Sequence, residues 1–121
     1  MIVRGRSLSS LEFDGLAILD YTAGLALDAS LAVIHVPPGA RHAEAWSRRS
    51  DKYYLVTEDE IRFVLAAEPV TLARGDFCFV RRGRRFSYAN RSGAPATLVL
   101  VHTPPFDIRD EVFVESPAPP G

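Results

Sequence analysis

One cysteine, one lysine, one methionine and one tryptophan in 121 residues close off several readings at once. The lone Cys78 has no partner for an internal disulfide, and within "DFCFV" it reads as a small buried apolar residue rather than a nucleophile. The chain has no apolar run of about eighteen residues, the length a membrane helix needs. Nor does a charged start lead into an apolar stretch and a small-residue cleavage site, so no signal peptide is expected and the expected location is the cytoplasm. A basic excess is also missing. The net charge is -1, acids offset the arginines almost one for one, and nucleic acid is not an expected partner. Nucleophile elbow, phosphate loop, zinc-ligand spacing and dinucleotide-binding glycines are all absent, which disfavours triad, nucleotide and redox-cofactor enzymes.

What is present is a series of short apolar or alternating runs: "LAILDY", "SLAVIHV", "KYYLVT", "EIRFVLA", "DFCFV", "RFSYAN" and "ATLVLVH". They are rich in Val, Ile, Phe, Tyr and Thr, and "PPGA", "TEDE", "AEP", "ARGD", "RRGR" and "NRSGAP" punctuate them. Many short strands with Gly and Pro turns predict an all-β sandwich or barrel. Residues 1–115 are assigned to one barrel domain and 116–121, "SPAPPG", to a disordered Pro-rich tail. The opening "MIVRGRSLSSLEF" is expected to serve as an edge strand of a partner.

Two stretches carry a resemblance. "PPGARHAEAWSRRSDKYYLVTEDEIRFVL" and "GDFCFVRRGRRFSYAN" resemble the two motifs of the cupin superfamily, in the form of a small single-domain bacterial cupin. The second motif matches in spacing throughout: Gly75 opens it, Arg81 takes the usual Pro place, Gly83 and Asn90 are kept, and Phe86 stands where the family has a histidine. In the first motif Gly39 is kept, Ala45 and Ser47 occupy the two histidine places, Lys52 the glutamate place and Asp59 that of the closing glycine. The ending "VHTPPFD" is similar to that of many single-domain bacterial cupins. The resemblance implies a jelly-roll β-barrel. It also implies that the usual metal, held in the family by three His and one Glu, has no donors here beyond a serine, and that the lysine would repel a dication. No metal and no other cofactor is therefore expected. A relocated metal site through His42, Glu44, His35 and His102 is the alternative, since a two-residue spacing places His42 and Glu44 on one strand face.

Strand alternation supplies the candidate pocket. If Lys52 points inward like the family's glutamate, Tyr54 and Val56 do too, Phe86 and Tyr88 follow on the second motif's strand, and Ile61, Phe63 and Leu65 face the same core. The resulting cavity is apolar and aromatic, holds one ammonium, and lies near the hydroxyls of Ser47, Tyr54 and Tyr88. It suits a small organic metabolite with a carbonyl or carboxylate group. The candidate catalytic residues are Lys52, Tyr54, Tyr88 and His102; the candidate ligand contacts are Ser47, Lys52, Tyr54, Phe63, Phe86, Tyr88 and His35. Lys52 has several possible roles: a desolvated general base or Schiff-base amine, a fixed cation beside a developing enolate, one half of a buried ion pair, or, after a one-residue register slip, a side chain reaching solvent.

The remaining singled-out residues read as structural. His42 and Glu44 form a solvated loop pair, Arg48 and Arg49 a solvated rim, and Trp46 points away from the cavity onto a homodimer surface. Three functions stay open: a cofactor-independent isomerase, cyclase, dehydratase or lyase working through Lys52; a non-catalytic small-molecule-binding or accessory module; and a metal-dependent enzyme with a relocated site. Metal-free relatives such as sugar epimerases indicate, by resemblance, that this barrel supports proton-transfer chemistry without a metal. A second titratable group within hydrogen-bond reach of Lys52 favours the first reading.

Overall fold

The computed structural model describes residues 1–114; the Pro-rich tail expected at 116–121 lies outside the described residues. Eleven strands follow in chain order: β1 (Leu11–Phe13), β2 (Leu16–Asp20), β3 (Ser30–Val36), β4 (Arg41–Ser47), β5 (Asp51–Glu58), β6 (Glu60–Leu65), β7 (Glu68–Ala73), β8 (Phe77–Val80), β9 (Phe86–Ala89), β10 (Ala96–Thr103) and β11 (Glu111–Phe113). Single 3-10 turns at Gly5–Ser7 and Ile108–Asp110 are the only helical pieces among the described residues. None is long and apolar enough to cross a membrane. The strands form two antiparallel sheets, one in the order β1-β2-β3-β10-β5-β8 and one in the order β11-β4-β9-β6-β7, packed as a jelly-roll barrel.

Alternation fixes which side chains fill the space between the sheets. Lys52, Tyr54 and Val56 of β5 are buried, as are Ile61 and Phe63 of β6, Phe86 and Tyr88 of β9, and Leu98, Leu100 and His102 of β10. Four of these form an aromatic cluster. The Tyr54 and Phe63 rings meet edge to face at 5.0 Å, Phe63 and Tyr88 lie 5.1 Å apart, and Tyr54 and Phe86 lie 6.1 Å apart. Each such pair is worth about 0.5–1.5 kcal/mol beyond its area burial.

Asp14 and Gly15 both have positive φ, 51° and 85°, so the chain reverses in two residues and β1 pairs with β2 of the same molecule. The opening segment thus ends in an edge strand of its own sheet, because the "DG" dipeptide makes a tight hairpin there. At the β6–β7 turn the same reversal falls on Ala66 and Ala67, at φ 47° and 70°, where side chains carry a cost that glycine would avoid. β4 and β7 lie where no alternating run stands out in the sequence, and both are held by their neighbours' registers.

β4 departs from simple alternation. His42 pairs with Tyr88 and Ala45 with Phe86, so three steps on β4 match two on β9. The extra residue is a β-bulge. It turns both His42 and Ala45 toward the interior, where strict alternation would face His42 outward.

The outer face of the six-stranded sheet is apolar along two cross-strand rows. Leu19, Val33, Val99, Leu55 and Phe77 are register partners across five strands, and Leu31, Val101, Tyr53 and Phe79 form the next row. Leu55, Phe77 and Phe79 are exposed.

Candidate functional site

Between the sheets, at the end nearest β1 and β11, lies a cavity of about 330 Å³. Its walls are mostly aliphatic and aromatic, with Leu16, Ile18, Ile34 and Leu100 on the large sheet and Phe13 and Phe113 closing it from the two edge strands. The Phe13 and Phe113 rings lie 5.6 Å apart across this end. The polar groups lining the cavity are His42, Lys52, Tyr54, Tyr88, His102 and Glu111, together with Glu12, Asp20 and Ser30 on the large sheet.

Lys52 sits at the centre of a buried cluster. β5 and β10 place it directly opposite His102, and its ammonium donates to His102 Nε2 at 2.7 Å and to Glu111 Oε1. Lys52 and Glu111 are 3% and 6% exposed, so the ion pair is out of solvent. Burial lowers the Lys52 pKa while Glu111 opposes that shift. The ion pair is the stronger constraint on protonation, because an amine freed of its proton would leave Glu111 as an uncompensated buried charge. His102 accepts the ammonium's hydrogen bond on Nε2 and is a neutral imidazole. Burial, and secondarily the Lys52 charge, push its pKa down to about 3.

His42 occupies the other side of the cavity. Its Nδ1 donates to the Ala43 carbonyl at 2.7 Å, since a carbonyl only accepts, and this leaves Nε2 as the lone-pair nitrogen. The ring packs among Phe86 at 5.1 Å, Tyr88 at 5.2 Å and Phe13 at 5.9 Å, and this burial lowers its pKa below the usual imidazole range. Tyr88 carries a buried hydroxyl with no hydrogen-bond partner, the only such side-chain group among the described residues. Burial raises the pKa of both Tyr54 and Tyr88, which keeps their phenols protonated.

Of the residues singled out from sequence, Lys52, Tyr54, Tyr88 and His102 line this cavity. Four others do not. His35 is exposed on the outer face of β3, where Nδ1 lies 3.2 Å from Thr97 Oγ1, because it shares strand parity with Val33 and not with Ile34. Ser47 is buried, but its hydroxyl accepts from the Ser50 and Arg49 amides and so closes the β4–β5 turn. Phe63 and Phe86 stand behind the wall, Phe63 packed on Tyr54 and Tyr88, Phe86 under the Lys52 ammonium at 5.4 Å. Trp46, expected on a dimer surface, is half-buried beneath the Arg48 guanidinium at 5.3 Å. His42 is not a solvated loop residue: the β4 bulge brings it inside. Glu111, reached only through the final strand, has no signal in any motif.

The metal expected of the fold does not fit these residues. At its four places stand the Ala45 methyl, the Ser47 hydroxyl engaged in a turn, the Lys52 ammonium and the Phe86 ring. The relocated set is dispersed as well. Glu44 is exposed with Arg85 at 4.0 Å, His35 faces outward and His102 is taken by Lys52. No group of three or more His, Cys, Asp or Glu placed to hold a metal occurs among the described residues.

A barrel of two antiparallel sheets with this motif spacing is that of a cupin, and the cupin domain model matches residues 32–102. The chain belongs to the cupin family. It is similar to TcmJ, a tetracenomycin polyketide synthase protein of Streptomyces glaucescens, at 34% identity over 74 residues. That match covers 61% of this chain and 50% of TcmJ, so the chain spans about half the length of this curated relative. Among solved structures it resembles PAC13, a nucleoside dehydratase of Streptomyces, with a TM-score of 0.82 at 22% identity over 94% of this chain and 90% of that one. PAC13 has also been solved with uridine as a His-to-Gln variant and as two Tyr-to-Phe variants. A predicted oxalate decarboxylase of Thermotoga maritima aligns with a TM-score of 0.75 at 18% identity, covering 85% of this chain and 98% of that one. At these identities the solved structures establish shared architecture.

Proposed function

We propose that this cupin is a metal- and cofactor-independent enzyme that moves a proton next to a carbonyl group of a small organic metabolite, as an isomerase, cyclase or lyase. The observation that carries this reading is the orientation of His42. Its Nδ1–H is tied to the Ala43 carbonyl, so a neutral imidazole offers Nε2 as a base in a cavity lined also by Tyr88, whose buried hydroxyl has no partner, and by the Lys52 cluster. Nε2 takes the proton from the carbon beside the carbonyl, and the C–H electron pair becomes the enolate. Tyr88 donates a hydrogen bond to the enolate oxygen, and the imidazolium formed at His42 offsets the enolate charge. The proton then returns to a neighbouring atom, giving isomerisation, or leaves with a β-hydroxyl as water, giving dehydration. Lys52 is held protonated by its ion pair with Glu111 and does not serve as a Schiff-base amine.

The Streptomyces dehydratase of the same architecture, studied with its histidine and two tyrosines replaced, is consistent with such chemistry. Exchange of the α-protons of carbonyl metabolites into deuterated water, followed by NMR, tests the proposal. His42→Gln is expected to slow exchange by about 10²–10⁴, the usual worth of a positioned base. Exchange no faster than solvent, with the ligand bound, would assign the chain to the non-catalytic binding modules. We further infer that a second copy packs on the apolar outer face of the six-stranded sheet. Its two cross-strand rows carry no charged side chain, so like faces meet without repulsion.

A further inference from the structure

The charge balance of the cavity points to a narrower class of ligand. Arginine supplies nearly all of this chain's positive charge, yet none lines the cavity. Lys52 is the one cation there, and Glu111 already neutralises it. Asp20, half-buried on the large-sheet side, adds a further carboxylate held in place by the Thr22 amide at 3.0 Å, whereas Glu12 is exposed in the row of Ala17 and the outward-facing His35. His42 and His102 add no positive charge at neutral pH, because burial keeps both imidazoles unprotonated. The interior therefore holds no unpaired cation, although sequence alternation alone leaves Lys52 free to receive an anion. A carboxylate or phosphate entering it would have to displace Glu111 and strand that charge in a dry site, or lie beside it unpaired.

What the cavity does offer is neutral. The Tyr88 hydroxyl is buried with its hydrogen unused. The surrounding walls are apolar, and the rings of Phe13, His42, Tyr88 and Phe113 favour a flat body. Resting on the reading of this cavity as the ligand site, we propose that it selects an uncharged, flat, mainly apolar molecule with a carbonyl oxygen for Tyr88, and rejects carboxylates and phosphates of the same shape.

A matched pair of probes tests this on the full chain by isothermal titration calorimetry at pH 7.5. 1-Hydroxy-2-acetonaphthone and 1-hydroxy-2-naphthoate share a ring system and hydroxyl and differ by a methyl ketone against a carboxylate. The ketone is expected to bind at least tenfold more tightly, with Tyr88→Phe weakening it about fivefold to tenfold through the lost hydrogen bond. Binding of the carboxylate as tight as that of the ketone, or no saturable ketone binding, overturns the proposal. Its failure is separable from that of the catalytic reading. Selectivity without proton exchange leaves a neutral-ligand binding protein, and exchange on an anionic substrate leaves an enzyme whose ligand class is misassigned here.

Discussion

Lys52 and His102 face each other directly across the β5–β10 ladder, with Nζ and Nε2 2.7 Å apart, and the ladder register alone sets that meeting. Glu111 joins them from 59 positions downstream of Lys52. The barrel thus holds a buried cation by strand pairing and its counter-charge by the last strand.

Removing one member of that pair should cost more than removing both. Glu111→Leu is expected to destabilise the chain by about 3–5 kcal/mol by leaving an ammonium without its partner in a dry site. Lys52→Met combined with Glu111→Leu should recover most of the loss, and urea unfolding of the three proteins decides it.

Stability should fall with acid in a window set by histidine. His102 has its folded pKa lowered from 6.5 to about 3, so the unfolded chain binds the proton more readily. The stabilisation is complete above pH 6.5 and is lost as pH falls toward 3, at up to about 1.4 kcal/mol per pH unit. His42 shifts in the same direction. His102→Gln is expected to flatten this limb in unfolding curves taken between pH 7 and 4; an unchanged slope would contradict the assignment.

Tyr88→Phe should raise the melting temperature while weakening the ligand. The wild-type hydroxyl is buried without a partner, and such a group costs about 1–3 kcal/mol. Calorimetric melting of the ligand-free variant checks the sign, and a lower melting temperature would mean that the hydroxyl is satisfied in the free protein.

A charge on the outer sheet face should separate the copies. Leu55→Arg with Phe77→Arg places two like charges in one exposed apolar row, and light scattering after gel filtration is expected to show the mass halved. A wild-type chain that already runs as a monomer would refute the interface.

The sequence showed the barrel and half of the cavity because both follow a period of two. Once Lys52 is taken as inward, Tyr54, Phe86 and Tyr88 follow by parity, and each is buried. His42 escaped the same rule because a single inserted residue on β4 reverses parity, and nothing in "RHAEAWS" marks the insertion. His35 failed for the opposite reason: parity excludes it, but a histidine in an apolar run looks buried until the neighbouring strand fixes which face is inside. Glu111 is a matter of distance along the chain. No local pattern links a lysine near the middle to a glutamate in a three-residue final strand.

The cavity takes its closing walls from the ends of the described chain: the β1–β2 hairpin on one side, and the segment from Phe106 to Phe113 on the other. Neither belongs to the aromatic cluster at the barrel's centre. Exchanging these two short pieces would therefore change two walls of the cavity while His42, Tyr54 and Tyr88 stay in place on the central strands, provided that Glu111 is kept as the counter-charge of Lys52.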